Sequence, residues 1–375
     1  MNKKIDIRLS KSCLGSAEKS AVLRVLDNEY LGMGSEVQAF EKELTIFFDR
    51  PAVCVANGTA ALQLALQAVG LTDGDEVLVQ SLTYVASFQA ISATGATPIA
   101  CDIDPLTLCI NLADAQTKLT ENTKAIMPVH YGGAVGDLDG IYDFAKRNGL
   151  RVIEDAAHAF GSYHKSVKVG AVGDIACFSF DGIKNITSGE GGCIVTNDKK
   201  VLEKLRDIRL LGVQKDTDNR YKGKRSWEFD VLDQGWRYHM SNIMAAIGIK
   251  QLERFPKLSE KRQAIAKYYD KLFFDVQTIT TLNQDYTKVV PHIYVILLNN
   301  PDVRSEIQTK LAEIGIQTGI HYYPNHKLSM YKSLNSEILN VDAIFPRLLT
   351  LPLHPDLSFS DVEYVAQNLI KELSQ

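Results

Sequence analysis

No run of 18 apolar residues occurs anywhere in this 375-residue chain, and its basic start, Met1-Asn-Lys-Lys-Ile-Asp-Ile-Arg8, leads into no apolar segment. Neither a membrane span nor a secretory leader is expected, and the protein reads as cytoplasmic with no membrane partner. Charge of one sign is scarce too. With 41 Lys and Arg against 45 Asp and Glu, the net charge of −4 supplies no general attraction for nucleic acid. A local basic patch for a phosphorylated small molecule remains compatible with that balance. The six cysteines, Cys13, Cys54, Cys101, Cys109, Cys177 and Cys193, contain no C-x-x-C pair and no ligand spacing, so no metal site is expected. Cys177 and Cys193 fall in strand-like runs and are expected to pack in the core as small apolar residues. No Gly-x-Gly-x-x-Gly follows an early strand, which argues against a nicotinamide-binding protein. Internal repeats and low-complexity segments are missing as well.

What is present is an ordinary globular composition, 45% hydrophobic and 23% charged. The chain exceeds the roughly 250 to 300 residues at which a single core stops growing. Two domains are expected, a large one over 1–250 and a smaller α+β one over 251–375. Through residues 50–200, short apolar runs alternate with helix-period segments. That is the pattern of βα units feeding a mostly parallel sheet, and the fold class is α/β. The expected strands are 77–80, 97–101, 125–129, 152–155, 176–180 and 193–196. Expected helices include 59–69, 83–93 and 137–147, the last ending at Asn148-Gly149, a C-terminal capping signal. Residues 214–228 are polar and carry Lys215, Arg220, Lys222, Lys224 and Arg225, so they read as a long loop, either solvated surface or a lid. Two helices, 240–253 and 258–272, follow, and from Val289 a β-rich and then helical pattern forms the smaller domain.

Several positions carry chemistry. Asn57-Gly58-Thr59-Ala60 stands between a short strand and a helix, where free N–H groups and the helix dipole favour a phosphate, although an ordinary cap has the same signature. Asp155 ends an apolar strand, so its carboxylate emerges at the carboxyl edge of the sheet, where ligands of α/β proteins bind. A carboxylate there can hold a protonated pyridine nitrogen, and the small Ala156 and Ala157 would let a flat ring approach. His158 can bond the cofactor oxygen or substrate, or be a satisfied structural histidine. Lys184 precedes the Gly-rich turn Ser188-Gly-Glu-Gly-Gly192. Most such lysines are exposed, whereas a Schiff-base lysine requires a partly desolvated site. Ser179, if it faces the sheet edge, joins Gly58 and Thr59 on the phosphate. Tyr84 follows another strand end and can cover one ring face opposite Ala157, or be core.

The order of these features, with Lys184 29 residues after Asp155, is more specific than any one of them. The chain resembles the sugar aminotransferases of the DegT/DnrJ/EryC1/StrS family. The matching segments are Ala56-Asn-Gly-Thr-Ala-Ala-Leu62, Gln80-Ser-Leu-Thr-Tyr84, Pro128-Val-His-Tyr-Gly132, Glu154-Asp-Ala-Ala-His-Ala159, 178–192, 238–247 and His321-Tyr-Tyr-Pro324. The resemblance implies a fold-type-I enzyme dependent on pyridoxal 5′-phosphate, with pyridoxamine phosphate as its half-reaction form. Its large domain would hold a mostly parallel, mixed seven-stranded sheet flanked by helices.

By the same resemblance, Lys184 forms the Schiff base and shuttles the proton, Asp155 pairs with the pyridinium nitrogen, and His158 lies near O3′. Tyr84 and Ala157 sandwich the ring, while Ser179 and the amides of Thr59 and Ala60 hold the phosphate. The active sites form at a homodimer interface, with Arg237 or His239 reaching the neighbour's phosphate. The implied substrates are L-glutamate and a nucleotide-linked keto-6-deoxyhexose, with Lys215, Arg220, His321 and Tyr322 as substrate contacts. The Ser-Gly-Glu-Gly-Gly turn favours amination at C4 and a thymidine diphosphate carrier, for an amino sugar of a surface polysaccharide such as an O-antigen; amination at C3 is the alternative. A dehydratase of the same fold would carry histidine in place of Lys184. A catalytically inactive regulator or sensor would have no physical reason to keep Lys184, Asp155 and Ser179 together.

Overall fold

The computed structural model describes residues 6–282, 284–332 and 338–374. The short apolar runs form strands β1 (Ala52–Val55), β2 (Glu76–Gln80), β3 (Thr97–Cys101), β4 (Thr123–Met127) and β5 (Arg151–Asp155). After a two-stranded ribbon, β6 (Tyr163–His164) and β7 (Val167–Lys168), come β8 (Ile175–Ser179) and β9 (Gly192–Thr196). Seven of these make one sheet of order β1-β9-β8-β5-β4-β2-β3. Five neighbours, β8, β5, β4, β2 and β3, pair in parallel, and β9 runs against both β8 and β1. Every residue of β1, β8 and β9 is buried, as a sheet covered on both faces requires, and Cys177 and Cys193 lie in that core.

The helices that cover the sheet are α1 (Ser16–Asp27), α2 (Ser35–Phe48), α3 (Gly58–Ala68), α4 (Ala86–Ser92), α5 (Leu112–Thr117), α6 (Leu138–Asn148) and α7 (Lys199–Ile208). The helix α3 packs on β8 and β9 and buries Ala60 through Leu66 without a break. The expected C-terminal cap of α6 is Gly149, in the left-handed conformation at φ 66° that a side chain would strain. Residues 214–228 differ from the expected loop. They contain the short helix α8 (Asp216–Tyr221), held because the phenol of Tyr221 meets Arg209 and Glu41 in the interior.

The two helices expected at 240–253 and 258–272 are one, α9 (Asn242–Phe273), with Pro256 inside it. Local propensity marks a break at proline, but Phe255 and Leu258 are both buried, and that packing carries the helix across. Its first half lies on α1 and α2. Its second half joins an antiparallel sheet of β10 (Ile279–Thr281), β11 (Tyr294–Leu298) and β12 (Leu348–Leu351), with α10 (Arg304–Glu313), α11 (Leu339–Ile344) and α12 (Phe359–Leu373) following in the chain. The line at residue 250 therefore falls inside a continuous helix rather than in a linker. Among the described residues, no helix is long and apolar enough to cross a membrane.

Candidate active site

Because β2, β4, β5 and β8 are parallel, they end at one edge of the sheet. The reversed β9 starts at that edge, and β1, reversed once more, ends there. The turn at Asn57, the carboxylate of Asp155 and the hydroxyl of Ser179 are thereby brought together although they are far apart in sequence. They line a cavity of about 480 Å³ together with Gly58, Thr59, Tyr84, Ala157 and Lys184.

At one end of the cavity the first turn of α3 meets the end of β8. Asn57 caps α3 and its Oδ1 accepts the N–H of Ala60 at 2.8 Å. The amide of Ala60 is thus engaged by the cap and Ala60 is buried beside the cavity rather than lining it. This departs from the expected role of Ala60 as a phosphate donor. Gly58 lies against Ser179 so closely that a Cβ on it would stand 2.8 Å from the Ser179 Cβ. The N-terminal turn and a serine hydroxyl form a small cradle where backbone N–H groups and the helix dipole favour an anion.

Asp155 is buried. Its Oδ2 accepts the Ser87 hydroxyl at 2.7 Å and its Oδ1 accepts the Ala157 N–H at 3.2 Å. Burial pushes its carboxyl above the usual range, and the bonds from Ser87 and Ala157 and the nearby Lys184 oppose that shift only in part. His158 accepts the Gly132 N–H at Nδ1 (3.3 Å), so the neutral ring donates from Nε2 to the Tyr322 hydroxyl at 2.9 Å. Burial, with Lys184 nearby, holds its pKa well below the ordinary value. The exposed ring of Tyr84 lies 5.6 Å from that of Tyr322. The two are brought together by Asn325, whose Nδ2 donates to the carbonyls of Ser81 and Thr83 at 3.0 and 2.7 Å. His321 also lines the cavity, with Nδ1 2.9 Å from the Thr350 hydroxyl, and burial lowers its pKa to about 4.

Lys184 sits in the turn after β8, its N–H on the carbonyl of Asp181 at 3.1 Å. Burial lowers its amine to about pKa 8 against the opposing pull of Asp155 and Asp181. Sequence reasoning missed its neighbour His292, whose Nε2 is 3.4 Å from the Lys184 Nζ. The only local signal was a histidine just ahead of the apolar strand β11. Asp181 and Glu190 line the same cavity, and burial raises the Glu190 carboxyl.

Four expected contacts lie elsewhere in the same chain. Arg237 is exposed, and His239 bridges to Val55 beside β1, its pKa lowered to about 4 by burial and by Arg237. Arg220 is engaged by Asp216 at 2.6 Å and Lys215 is an exposed residue at the start of α8. None of the four lines the cavity.

A large mixed sheet carrying a lysine, a buried carboxylate and an anion cradle at one edge is the frame of a fold-type-I enzyme dependent on pyridoxal phosphate. The chain belongs to the DegT/DnrJ/EryC1/StrS aminotransferase family, whose model matches residues 12–370. It is 36% identical over 364 residues to the spore coat polysaccharide biosynthesis protein SpsC of Bacillus subtilis, covering 94% of each chain. Among solved structures it is similar to Helicobacter pylori PseC, an aminotransferase involved in the biosynthesis of pseudoaminic acid (TM-score 0.92, 28% identity, 98% of this chain and 99% of that one). It is equally similar to the PMP form of the putative sugar aminotransferase Spr1654 from Streptococcus pneumoniae (TM-score 0.92, 29% identity, 98% and 99%). The protein is a sugar aminotransferase dependent on pyridoxal phosphate.

The residues present fit that cofactor. The Gly58–Ser179 cradle has no room for a side chain but leaves a hydroxyl and the start of a helix toward the cavity. Asp155 is a buried carboxylate in an ion pair with no cation among the described residues, suited to a protonated ring nitrogen.

Proposed function

We propose that this enzyme moves the amino group of L-glutamate onto C4 of a nucleotide-linked 4-keto-6-deoxyhexose, with dTDP-4-keto-6-deoxy-D-glucose as acceptor, to make an amino sugar for a surface polysaccharide. The observation that carries the reading is the convergence of Lys184, Asp155, Ser179 and the Gly58–Thr59 turn on one cavity. The sugar context is supported by the printed roles of SpsC in spore coat polysaccharide and of PseC in pseudoaminic acid biosynthesis.

When bound, the cofactor carries the amino group between donor and acceptor and draws electrons from the donor carbon into its ring. The chain's residues do the rest. Gly58, Thr59 and Ser179 would hold the phosphate, and Asp155 would keep the ring nitrogen protonated. Tyr84 and Ala157, which line the cavity, would flank the ring, and His158, fixed as a neutral donor by the Gly132 N–H, orients Tyr322. Lys184 is the nucleophile and then the base that takes and returns the donor's α-proton at Nζ, a task that a pKa of about 8 suits near neutral pH. His321 and Tyr322 border the space left for the sugar.

The site works as one of two shared in a homodimer. Besides the neutral histidines, the charged groups lining the cavity are Lys184 against Asp155, Asp181 and Glu190, an unfavourable setting for a dicarboxylate donor and a diphosphate-bearing acceptor. A second copy bringing Arg237 or His239 to the phosphate, and Lys215 or Arg220 to the substrate, would correct that balance. The apolar run Trp227, Phe229, Val231 and Leu232, all exposed in one chain, lies just before Arg237 and supplies a surface for the contact.

Glutamate-dependent amination of a panel of 3- and 4-keto-6-deoxyhexose nucleotides, with NMR of each product, tests the proposal. Product amino groups at C4 of the thymidine diphosphate sugar are expected. Turnover only with 3-keto sugars would replace that substrate, and no turnover with any acceptor of the panel would sink the proposed substrate class.

A further inference from the structure

Arg262 lies in the second half of α9, is 1% exposed, and has no carboxylate partner among the described residues. Its guanidinium is surrounded by carbonyls instead. Nη2 donates to Ile183 and Lys184 at 3.2 and 3.4 Å, and Nη1 donates to His292 at 3.1 Å and reaches Leu353 at 3.5 Å. One side chain thus bridges the turn that carries Lys184 and the segment that carries His292. The opposite side of that segment is pinned as well, because the His292 N–H donates to the Gly132 carbonyl at 3.0 Å. Between these anchors the buried His292 ring has its Nε2 3.4 Å from the Lys184 Nζ and its centroid 4.6 Å from that of His158. Burial lowers the pKa of Arg262 to about 10, and a buried charged fork that meets only neutral carbonyls is expensive to keep for stability alone.

We propose that Arg262 and His292 form a positioning unit for Lys184. Arg262 ties the lysine turn to the histidine segment, and His292 holds the amine at the cavity wall. The proposal rests on Lys184 being the reactive amine. Two consequences follow from the geometry. The fork fixes where Nζ stands relative to the ring space, so misplacement should slow proton transfer without weakening donor binding. The unneutralised guanidinium also opposes protonation of the amine, in the direction already seen for Lys184. The groups facing Nζ are Asp155 from β5, Asp181 from its own turn, Arg262 from α9, and the rings of His158, His292 and His321, whose burial keeps them neutral.

The test labels full-length protein, freed of cofactor, with trace acetic anhydride from about pH 6 to about pH 10 and reads the rate at Lys184 by mass spectrometry. In Arg262→Met the labelling midpoint should rise above the parent value, because the cation that opposes protonation of the amine is gone while the burial of Lys184 is kept. Arg262→Lys keeps the charge and loses the fork. Its midpoint should stay at the parent value while the glutamate half-reaction of the loaded enzyme slows roughly tenfold at unchanged KM. His292→Phe should slow that half-reaction in the same way. A parent-like midpoint in Arg262→Met, or parent-like half-reaction rates in Arg262→Lys or His292→Phe, overturns the proposal. If Arg262→Met does not fold, the other two variants decide. Borohydride reduction of the loaded parent enzyme is read separately: cofactor fixed to any residue but Lys184 sinks the reading beneath the proposal, whatever the variants do.

Discussion

A Cβ on Gly58 would stand 2.8 Å from the Cβ of Ser179 and 3.1 Å from its hydroxyl, so the start of α3 and the end of β8 meet with no spare room. Gly58→Ala must push the helix start away from the serine and open the cradle. Cofactor affinity is expected to fall about tenfold or more, read by absorbance titration, while the fold survives. Ser179→Ala removes one hydroxyl and leaves the spacing intact, so its cost should be smaller, about 1 kcal/mol or roughly fivefold in affinity. Parent-like cofactor affinity in both variants would remove the phosphate from this corner.

The covalent loading of the cofactor should follow the free amine of Lys184. Burial has lowered its pKa to about 8, so below that pH the ammonium dominates and the neutral nucleophile grows about tenfold per unit. Loading rates measured on cofactor-free protein are expected to climb between about pH 6 and 8 and to level off above. A plateau reached only near the ordinary lysine value would mean that the amine is solvated.

Much of this site can be read from the chain because its members stand at strand ends beside small residues. Asp155 closes an apolar run before two alanines, and Lys184 precedes Ser188-Gly-Glu-Gly-Gly192. The parallel strands are legible for the same reason, since buried strands are short continuous apolar runs. His292 and Arg262 are not legible. They are 108 and 78 residues from Lys184 in sequence, and only the packing of α9 and the segment before β11 against the lysine turn brings them in. The Ala60 amide marks the limit of local reasoning in another way. A free donor was expected at the helix start, but the neighbouring Asn57, a residue suited to capping, bonds it first. Pro256 misleads in the opposite direction, because long-range burial of Phe255 and Leu258 outweighs a local break.

Asp155→Asn should separate stability from function. Burial raises the folded-state pKa of Asp155 above its unfolded value, so the ionised form is the disfavoured one. The destabilisation is absent below the unfolded pKa, grows as pH rises toward the folded one, and is complete above it. At neutral pH the cofactor-free variant should therefore melt higher than the parent. Cofactor should raise its Tm less than it raises the parent's, because the ring nitrogen has lost its counter-charge. Amination is expected to fall by about a hundredfold or more. A lower Tm for the cofactor-free variant would show that the Ser87 and Ala157 bonds outweigh the burial penalty.

Sharing of the site can be decided by mixing two inactive proteins. If Lys184 acts on one subunit and Arg237 reaches the phosphate of the other, Lys184→Ala and Arg237→Ala fail for reasons that lie in different chains. Refolded together in equal amounts, they form mixed dimers in about half of the population. Each mixed dimer holds one site with both defects and one with neither, so activity should return to about a quarter of the parent's. Arg237 is exposed in a single chain and does not line that chain's cavity, so a contribution within one subunit would leave the mixture as inactive as its parts. The same experiment with His239→Ala assigns the contact between the two residues, since only the one that crosses the interface complements. Trp227→Asp, at a ring 86% exposed in one chain, should break the dimer and abolish the recovery together. A Trp227→Asp protein that remains dimeric by light scattering would move the interface away from the 227–232 run.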